Sequence, residues 1–292
     1  MNGFLNILKP PGMTSHDVVN HIRKKAAVKT GHTGTLDPAA AGVLVLALGK
    51  ATKLAAYVAG EKKEYRVELK LGTATDTFDA TGIVTATKTV PPLNKMLLSR
   101  VLESFRGPQK QIPPMYSALH YKGKRLYQLA REGKEVARPP RDINIYSLDC
   151  VQIKTGAVIF DVSCSAGTYI RTLCVDIAAK LGTVGHMSFL VRKKVGCFAI
   201  DQASILEGFQ EAGKEALERA LYPLEYPFKE RPFLELEDAQ AVRFKNGGRV
   251  EIKGPLIDSG IVRVFSQGIF IALGKTESSL EKTWLSPLVV LG

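Results

Sequence analysis

The chain is short of cysteine, with four in 292 residues, no CxxC pair and no zinc-finger spacing. That argues against a disulfide scaffold or a structural zinc site, and no metal is expected. Cys150, Cys164, Cys174 and Cys197 read as buried thiols of a reduced, cytoplasmic protein. Long hydrophobic runs are also lacking, none approaching the roughly 18 apolar residues that span a bilayer. The opening residues Met1 to Pro11 carry no basic stretch followed by an apolar one, so no signal peptide is expected. There is no P-loop and no dinucleotide fingerprint, which points away from nucleotide-driven and hydride chemistry. Acidic residues are outnumbered, 28 against 40 Lys and Arg, leaving a formal charge of +12. Such an excess in an ordinary globular composition favours a polyanionic partner, nucleic acid first. Hydrophobic residues make up 45% of the chain, so it is neither disordered nor fibrous, and it can bury a substantial core in one large or two moderate domains.

Among the residues that are present, Gly31-His32-Thr33-Gly34-Thr35-Leu36-Asp37-Pro38 says most about function. A carboxylate stands between a bulky apolar residue and a proline that fixes the adjacent backbone, and the glycines would let another chain approach closely. The apolar run Val43 to Leu48 would anchor this loop to a buried strand. By itself Asp-Pro is ordinarily a turn.

Elsewhere the periodicities predict a strand over Phe4 to Leu8 and a helix from Thr14 or Ser15 to about Lys25, with Val18, Val19 and Ile22 inward. Strict alternation from Tyr65 to Leu71 predicts a half-buried strand. A helix is expected over Leu93 to Phe105, a strand over Val158 to Val162, a helix from about Tyr169 to Leu181 and a strand at Phe189 to Val191. Without regular βαβ alternation, the expected class is α+β around a mainly antiparallel sheet flanked by helices. The stretch from about 116 to 141 is basic and interrupted, with Tyr116, Tyr121 and Tyr127 among its cations. It reads as a solvated loop with a short helix, or as an RNA-gripping insertion. A proline-punctuated linker from Leu221 to Pro232 separates residues 1–228 from a β-rich tail, 233–292. That tail carries a short helix at Asp238 to Lys245 and a hairpin around Ser266-Gln267-Gly268.

A second informative loop is Cys164-Ser165-Ala166-Gly167-Thr168-Tyr169-Ile170-Arg171-Thr172-Leu173. Arg171 lies among apolar neighbours on the predicted helix, so it should point inward and need an anion. Asp37 is the attractive partner, though an ordinary structural ion pair would look identical in sequence.

Taken together these segments resemble the bacterial TruB family of tRNA pseudouridine synthases over nearly the whole chain. The matching stretches are Lys9-Pro10-Pro11-Gly12-Met13-Thr14-Ser15, the Asp37 loop, Lys63-Glu64-Tyr65-Arg66, Thr75-Asp76-Thr77-Phe78-Asp79, Ile112 to Leu119, and Gly167 to Thr172. The tail, through Phe244-Lys245-Asn246-Gly247, is similar to the family's PUA-type RNA-binding domain. Ala41, Ala166 and His120 depart from the pattern, and none touches the proposed carboxylate.

The resemblance implies a pseudouridine-synthase fold and isomerisation of uridine 55 in the T-loop of tRNA, with no cofactor. It places Asp37 as catalytic carboxylate, Tyr65 against the target base and as a candidate for proton transfer, and Arg171 paired with Asp37. His32 would pack into the T-loop, Tyr169 and Leu190 would line the uracil pocket, and Lys9 is grouped with the RNA-binding residues. The partner implied is the tRNA T-arm, with no membrane, no obligatory protein partner and a monomeric chain. Two alternatives are a non-catalytic RNA-binding or tRNA-folding protein and a guide-dependent rRNA pseudouridine synthase of the same superfamily.

Overall fold

A computed structural model describes residues 1–211, 213–252, 260–278 and 282–292. The main sheet runs Ser204–Ile205, Gly3–Lys9, Ala41–Leu48, Gly185–Val195, Lys63–Leu71, Ala157–Cys164, Arg141–Lys154 and Gly107–Gln111. Thr30–His32 pairs with Ala41–Leu48, and Phe198–Ala199 with Gly185–Val195. Two of the pairings are parallel, Gly3–Lys9 with Ser204–Ile205 and Ala41–Leu48 with Gly185–Val195; the others are antiparallel. The fold is α+β, as its patterning predicts.

The local reasons are legible. Lys63–Leu71 alternates inward and outward along its length, which buries Tyr65, Val67, Leu69 and Leu71 against one face of the sheet. The helix Ser15–Ala26 begins with a capping box in which Thr14 accepts from the Asp17 amide and Asp17 accepts from the Thr14 amide. It buries Val18, Val19 and Ile22, and joins Ile170–Lys180 and Lys95–Glu103 in one core.

Some elements differ from their expected bounds. The helix expected over Leu93 to Phe105 is confined to Lys95–Glu103, because the Asn94 side chain caps it. The strand expected at Phe189 to Val191 extends over Gly185–Val195, since it pairs with Lys63–Leu71 from end to end. The long Arg141–Lys154 strand is an addition. Its burial follows no steady alternation, and beyond Ile145 it is paired on one side only. Cys164 and Cys174 are buried as expected, but Cys150 is exposed on this strand and Cys197 only half-buried.

The tail sheet runs Phe233–Glu235, Gly260–Ser266, Ile269–Ser278, Thr283–Val290 and Val250–Ile252, with the helix Asp238–Lys245 on it. Gln267 and Gly268 both have positive φ, as the two-residue hairpin turn requires. This sheet is joined to the main one by a continuous apolar layer. Phe270, Leu273 and Leu291 pack with Phe4, Val43, Val45, Ala47, Phe198 and Phe228. Arg231 pairs with Glu61 at 3.1 Å, and Lys53 Nζ donates to the Val290 carbonyl at 3.0 Å.

Close approach demands glycine at position 42. Gly42 has φ +109°, and a Cβ there would stand 2.2 Å from the Arg192 carbonyl oxygen and 2.7 Å from its nitrogen. Around Gly31 and Gly34 such a Cβ would meet nothing or only ordinary contacts within this chain. Gly42→Ala combines backbone strain of about 1–3 kcal/mol with overpacking of similar size. Urea unfolding should show a correspondingly lower midpoint, whereas Gly31→Ala should leave it almost unchanged.

Candidate active site

The Asp37 loop is fastened from three directions. Thr33 donates to the Val45 carbonyl through its amide, at 2.9 Å, and its hydroxyl, at 3.2 Å. Ser15 Oγ donates to the Leu36 carbonyl at 3.0 Å and accepts from the Leu36 amide at 2.8 Å, while the Leu36 side chain is buried. The Pro38 carbonyl accepts from the Gly12 amide at 2.8 Å and from Lys9 Nζ at 3.1 Å. Lys9 is fully buried and also donates to the carbonyls of Pro10 and Met13. Its assignment to RNA contact is therefore corrected: the ammonium is spent on loop carbonyls and holds the loop in place. Burial outweighs the nearby Asp37 charge and brings its pKa down to about 8.

Arg171 reaches this loop from the first turn of the Ile170–Lys180 helix. Tyr169 is the N-cap, with both backbone groups held by Gln111: its amide donates to Gln111 Oε1 at 2.8 Å, and its carbonyl accepts from Gln111 Nε2 at 3.0 Å. Arg171 Nε lies 3.0 Å from Asp37 Oδ2 and Nη2 lies 3.4 Å from Oδ1. The remaining donors go to the Thr77 carbonyl at 3.1 Å and the Tyr116 carbonyl at 2.8 Å, and Asp79 Oδ2 stands 3.8 Å from Nη1. Asp79 is itself held, its Oδ1 accepting from the Thr77 and Thr81 hydroxyls and the Thr81 amide. The Arg171 side chain is 8% exposed and that of Asp37 37%. The guanidinium thus backs a carboxylate whose other side is open to an incoming group, a geometry that orients the acid without blocking it.

Tyr65 and Leu190 point inward from adjacent strands, with Leu190 opposite Val67 and Tyr65 opposite Arg192. Burial pushes the Tyr65 phenol up to about 12, against the pull of the nearby Arg192 charge. The phenol therefore stays protonated at neutral pH. The unfolded chain ionises near 10, so this contribution to stability is complete below pH 10 and is lost as pH rises towards 12. Ultraviolet difference titration of Tyr65→Phe should lack the tyrosine ionisation near 12, and its stability should fall less steeply between pH 10 and 12.

His32 ends the Thr30–His32 strand, half-buried, and burial followed by the Arg192 charge lowers its pKa. Its Nδ1 is buried without a hydrogen-bond partner among the described residues. The 116–141 segment forms a small hairpin, His120–Tyr121 with Lys124–Arg125, and the helix Leu126–Arg131. Lys122, Lys124, Arg125 and Arg131 are exposed along it. Its base is tied to the site by the Arg171 bond to the Tyr116 carbonyl.

Arg192 escaped the sequence reading. In Val191-Arg192-Lys193-Lys194 it looks like one of a solvated basic run, yet it is 2% exposed. The available signal was alternation, since Arg192 lies two residues after the buried Leu190 on one strand. Lys63 escaped for the same reason, being buried two residues before Tyr65 and donating to the Ala59 and Glu61 carbonyls. Among the described residues, the buried Lys and Arg are Lys9, Lys63, Arg171 and Arg192, against Asp79 as the buried carboxylate. The site therefore carries positive charge, as a phosphate-rich ligand requires. Among the described residues no cluster has the composition of a metal site, and no helix is long and apolar enough to cross a membrane.

Three family models cover the chain almost end to end. Residues 22–170 match the TruB family pseudouridylate synthase N-terminal domain. Residues 171–229 match the tRNA pseudouridylate synthase B C-terminal domain, and 232–280 the pseudouridine synthase II TruB C-terminal model. A tRNA pseudouridine synthase B from Alkaliphilus oremlandii is 48% identical over 251 residues, covering 86% of this chain and 83% of that protein. Its counterpart from Syntrophomonas wolfei is 41% identical over 293 residues, covering 98% and 97%. Among solved structures, a chain of a Cbf5-Nop10-Gar1 complex superposes with a TM-score of 0.75 at 27% identity, covering 99% of this chain and 85% of that one.

Proposed function

Because the chain belongs to the TruB family of pseudouridylate synthases and converts uridine to pseudouridine in tRNA, we propose that Asp37 is the carboxylate that carries the reaction and uridine 55 of the T-loop its target. The observation that supports this most is the open Asp37 carboxylate backed by the buried Arg171. In the isomerisation the C1′–N1 bond breaks, the base turns within the site, and C5 bonds to C1′ while its proton leaves and N1 gains one. Atoms and electrons balance within the nucleoside, so no external group is consumed. An ionised carboxylate serves either as nucleophile or as stabiliser of a cation-like sugar.

The surrounding residues take complementary roles. Tyr65 stacks on the flipped base, and its protonated phenol is placed to relay a proton. Tyr169 and Leu190 line the uracil pocket. His32, with its unpartnered buried nitrogen, meets the T-loop and helps hold the target out of the stack. Extrusion costs a few kcal/mol, on the order of one lost stack and pair, offset by these interactions and by phosphate contacts from the basic 116–141 segment. Residues 1–228 carry the chemistry and 233–292 grip tRNA through phosphates. The chain acts as a cytoplasmic monomer, without an obligatory protein partner.

The direct test uses a tRNA transcript labelled with [5-³H]uridine. The expected result is release of one tritium per tRNA, and none from a transcript carrying cytidine at position 55. Continued release from the substituted transcript would refute the assigned target.

A further inference from the structure

We propose that Arg192 is a positioning residue that sets the Asp37 loop and the Tyr65 ring as one unit, an inference that rests on the roles given to those two residues above. Each bond of this guanidinium lands on part of the site. Nη2 donates to the Gly34 carbonyl at 2.9 Å and Nη1 to the Thr35 carbonyl at 3.3 Å, three and two residues before Asp37. Nε donates to the Val43 carbonyl at 2.7 Å, on the strand that leaves the loop. Tyr65 stands opposite Arg192 in direct register on the neighbouring strand, and the guanidinium charge acts on its phenol. The backbone of Arg192 pairs with Gly42 and leaves no room for a side chain there, which couples the loop's exit to the arginine.

The charge is the informative part. The acceptors of Arg192 are backbone carbonyls, and the residue is 2% exposed. Burying a cation with only neutral acceptors is costly, and a neutral amide could tie down the same carbonyls at less cost. What an amide lacks is a positive field reaching both Tyr65 and Asp37, and that field is felt at both. Arg192 therefore does more than hold a turn together. It fixes the distance between the carboxylate and the ring, and it places one positive charge near both.

Arg192→Lys keeps the charge but loses the planar fork, and Arg192→Gln keeps two donors but loses the charge. Both variants, Asp37→Asn and the unaltered enzyme are compared with full-length labelled tRNA. The measurements are melting temperature, tRNA affinity, single-turnover tritium release and ultraviolet titration of Tyr65. The expected result is folded variants with unchanged tRNA affinity and single-turnover rates reduced about 100-fold, the scale of a misplacement of roughly 1 Å. In Arg192→Gln the phenol should also ionise at higher pH, because the cation that favours phenolate is gone. A folded variant releasing tritium at the unaltered rate overturns the proposal. So does failure of both variants to fold, which would make Arg192 a structural strut and nothing more. Turnover by Asp37→Asn would refute the reading of the site, whereas an inert Asp37→Asn beside a fully active Arg192→Gln would refute this inference alone.

Discussion

Asp37→Asn should abolish tritium release while tRNA affinity stays close to that of the unaltered enzyme. The amide fills the same space on a loop held by Ser15, Lys9 and Arg192 rather than by the carboxylate, so the loop should keep its shape. Arg171 keeps its bonds to the Thr77 and Tyr116 carbonyls and its place beside Asp79. What disappears is the negative charge that the proposed reaction needs, whether for covalent attack or for electrostatic stabilisation. A loss of about 10⁴-fold, equivalent to roughly 5.4 kcal/mol of transition-state stabilisation, is the expected minimum. Single-turnover assays with enzyme in excess over tRNA, alongside filter-binding measurements, separate the two quantities. Substantial turnover by the purified variant would remove Asp37 from the chemistry.

The second large effect concerns the tail. From sequence, a β-rich module after a proline-rich linker invites removal, with turnover on an isolated T-arm expected to survive. The apolar layer shared by the two sheets predicts otherwise. Ending the chain at residue 228 takes Phe270, Leu273 and Leu291 away from Phe4, Val43, Val45, Ala47 and Phe198. Each loss of a large core side chain costs about 2–5 kcal/mol, so three together reach the typical total stability of about 5–15 kcal/mol. The truncated chain should therefore aggregate or melt without a cooperative transition in scanning calorimetry, and its loss of activity would report unfolding. A sharply melting 1–228 fragment that modifies a T-arm hairpin would show that the shared layer is dispensable. A gentler probe of tail function is to neutralise its exposed cations in the intact protein. For every phosphate that is no longer neutralised, the salt dependence of tRNA binding should flatten by a log–log slope of roughly 0.7 to 0.9.

Much of the architecture is legible because it is local. Alternation along Lys63–Leu71 places Tyr65 inside, Thr14 and Asp17 mark a helix start, and Gln267-Gly268 marks a tight hairpin. The need of Arg171 for an anion also follows from residue chemistry, because it lies among Ile170, Leu173 and Cys174, and the fold supplies Asp37. The Arg141–Lys154 strand is less legible: without steady alternation, only its neighbours identify it as a strand.

The roles of the other cations come from the three-dimensional fold. In the sequence, Lys9 sits in a signature next to two prolines and reads as a hand held out to RNA, while Arg192 reads as one more surface charge. Folded, both are buried, one against carbonyls of residues 10, 13 and 38, the other against residues 34, 35 and 43. Propensity, periodicity and composition act within a few residues, so the elements, the positive charge and the acid at their centre can be read along the chain. Which cation faces solvent and which holds the loop depends on carbonyls as far as 158 residues away in the chain. Such partners meet only when the strands are in register, and a buried charge is tolerated only where they do.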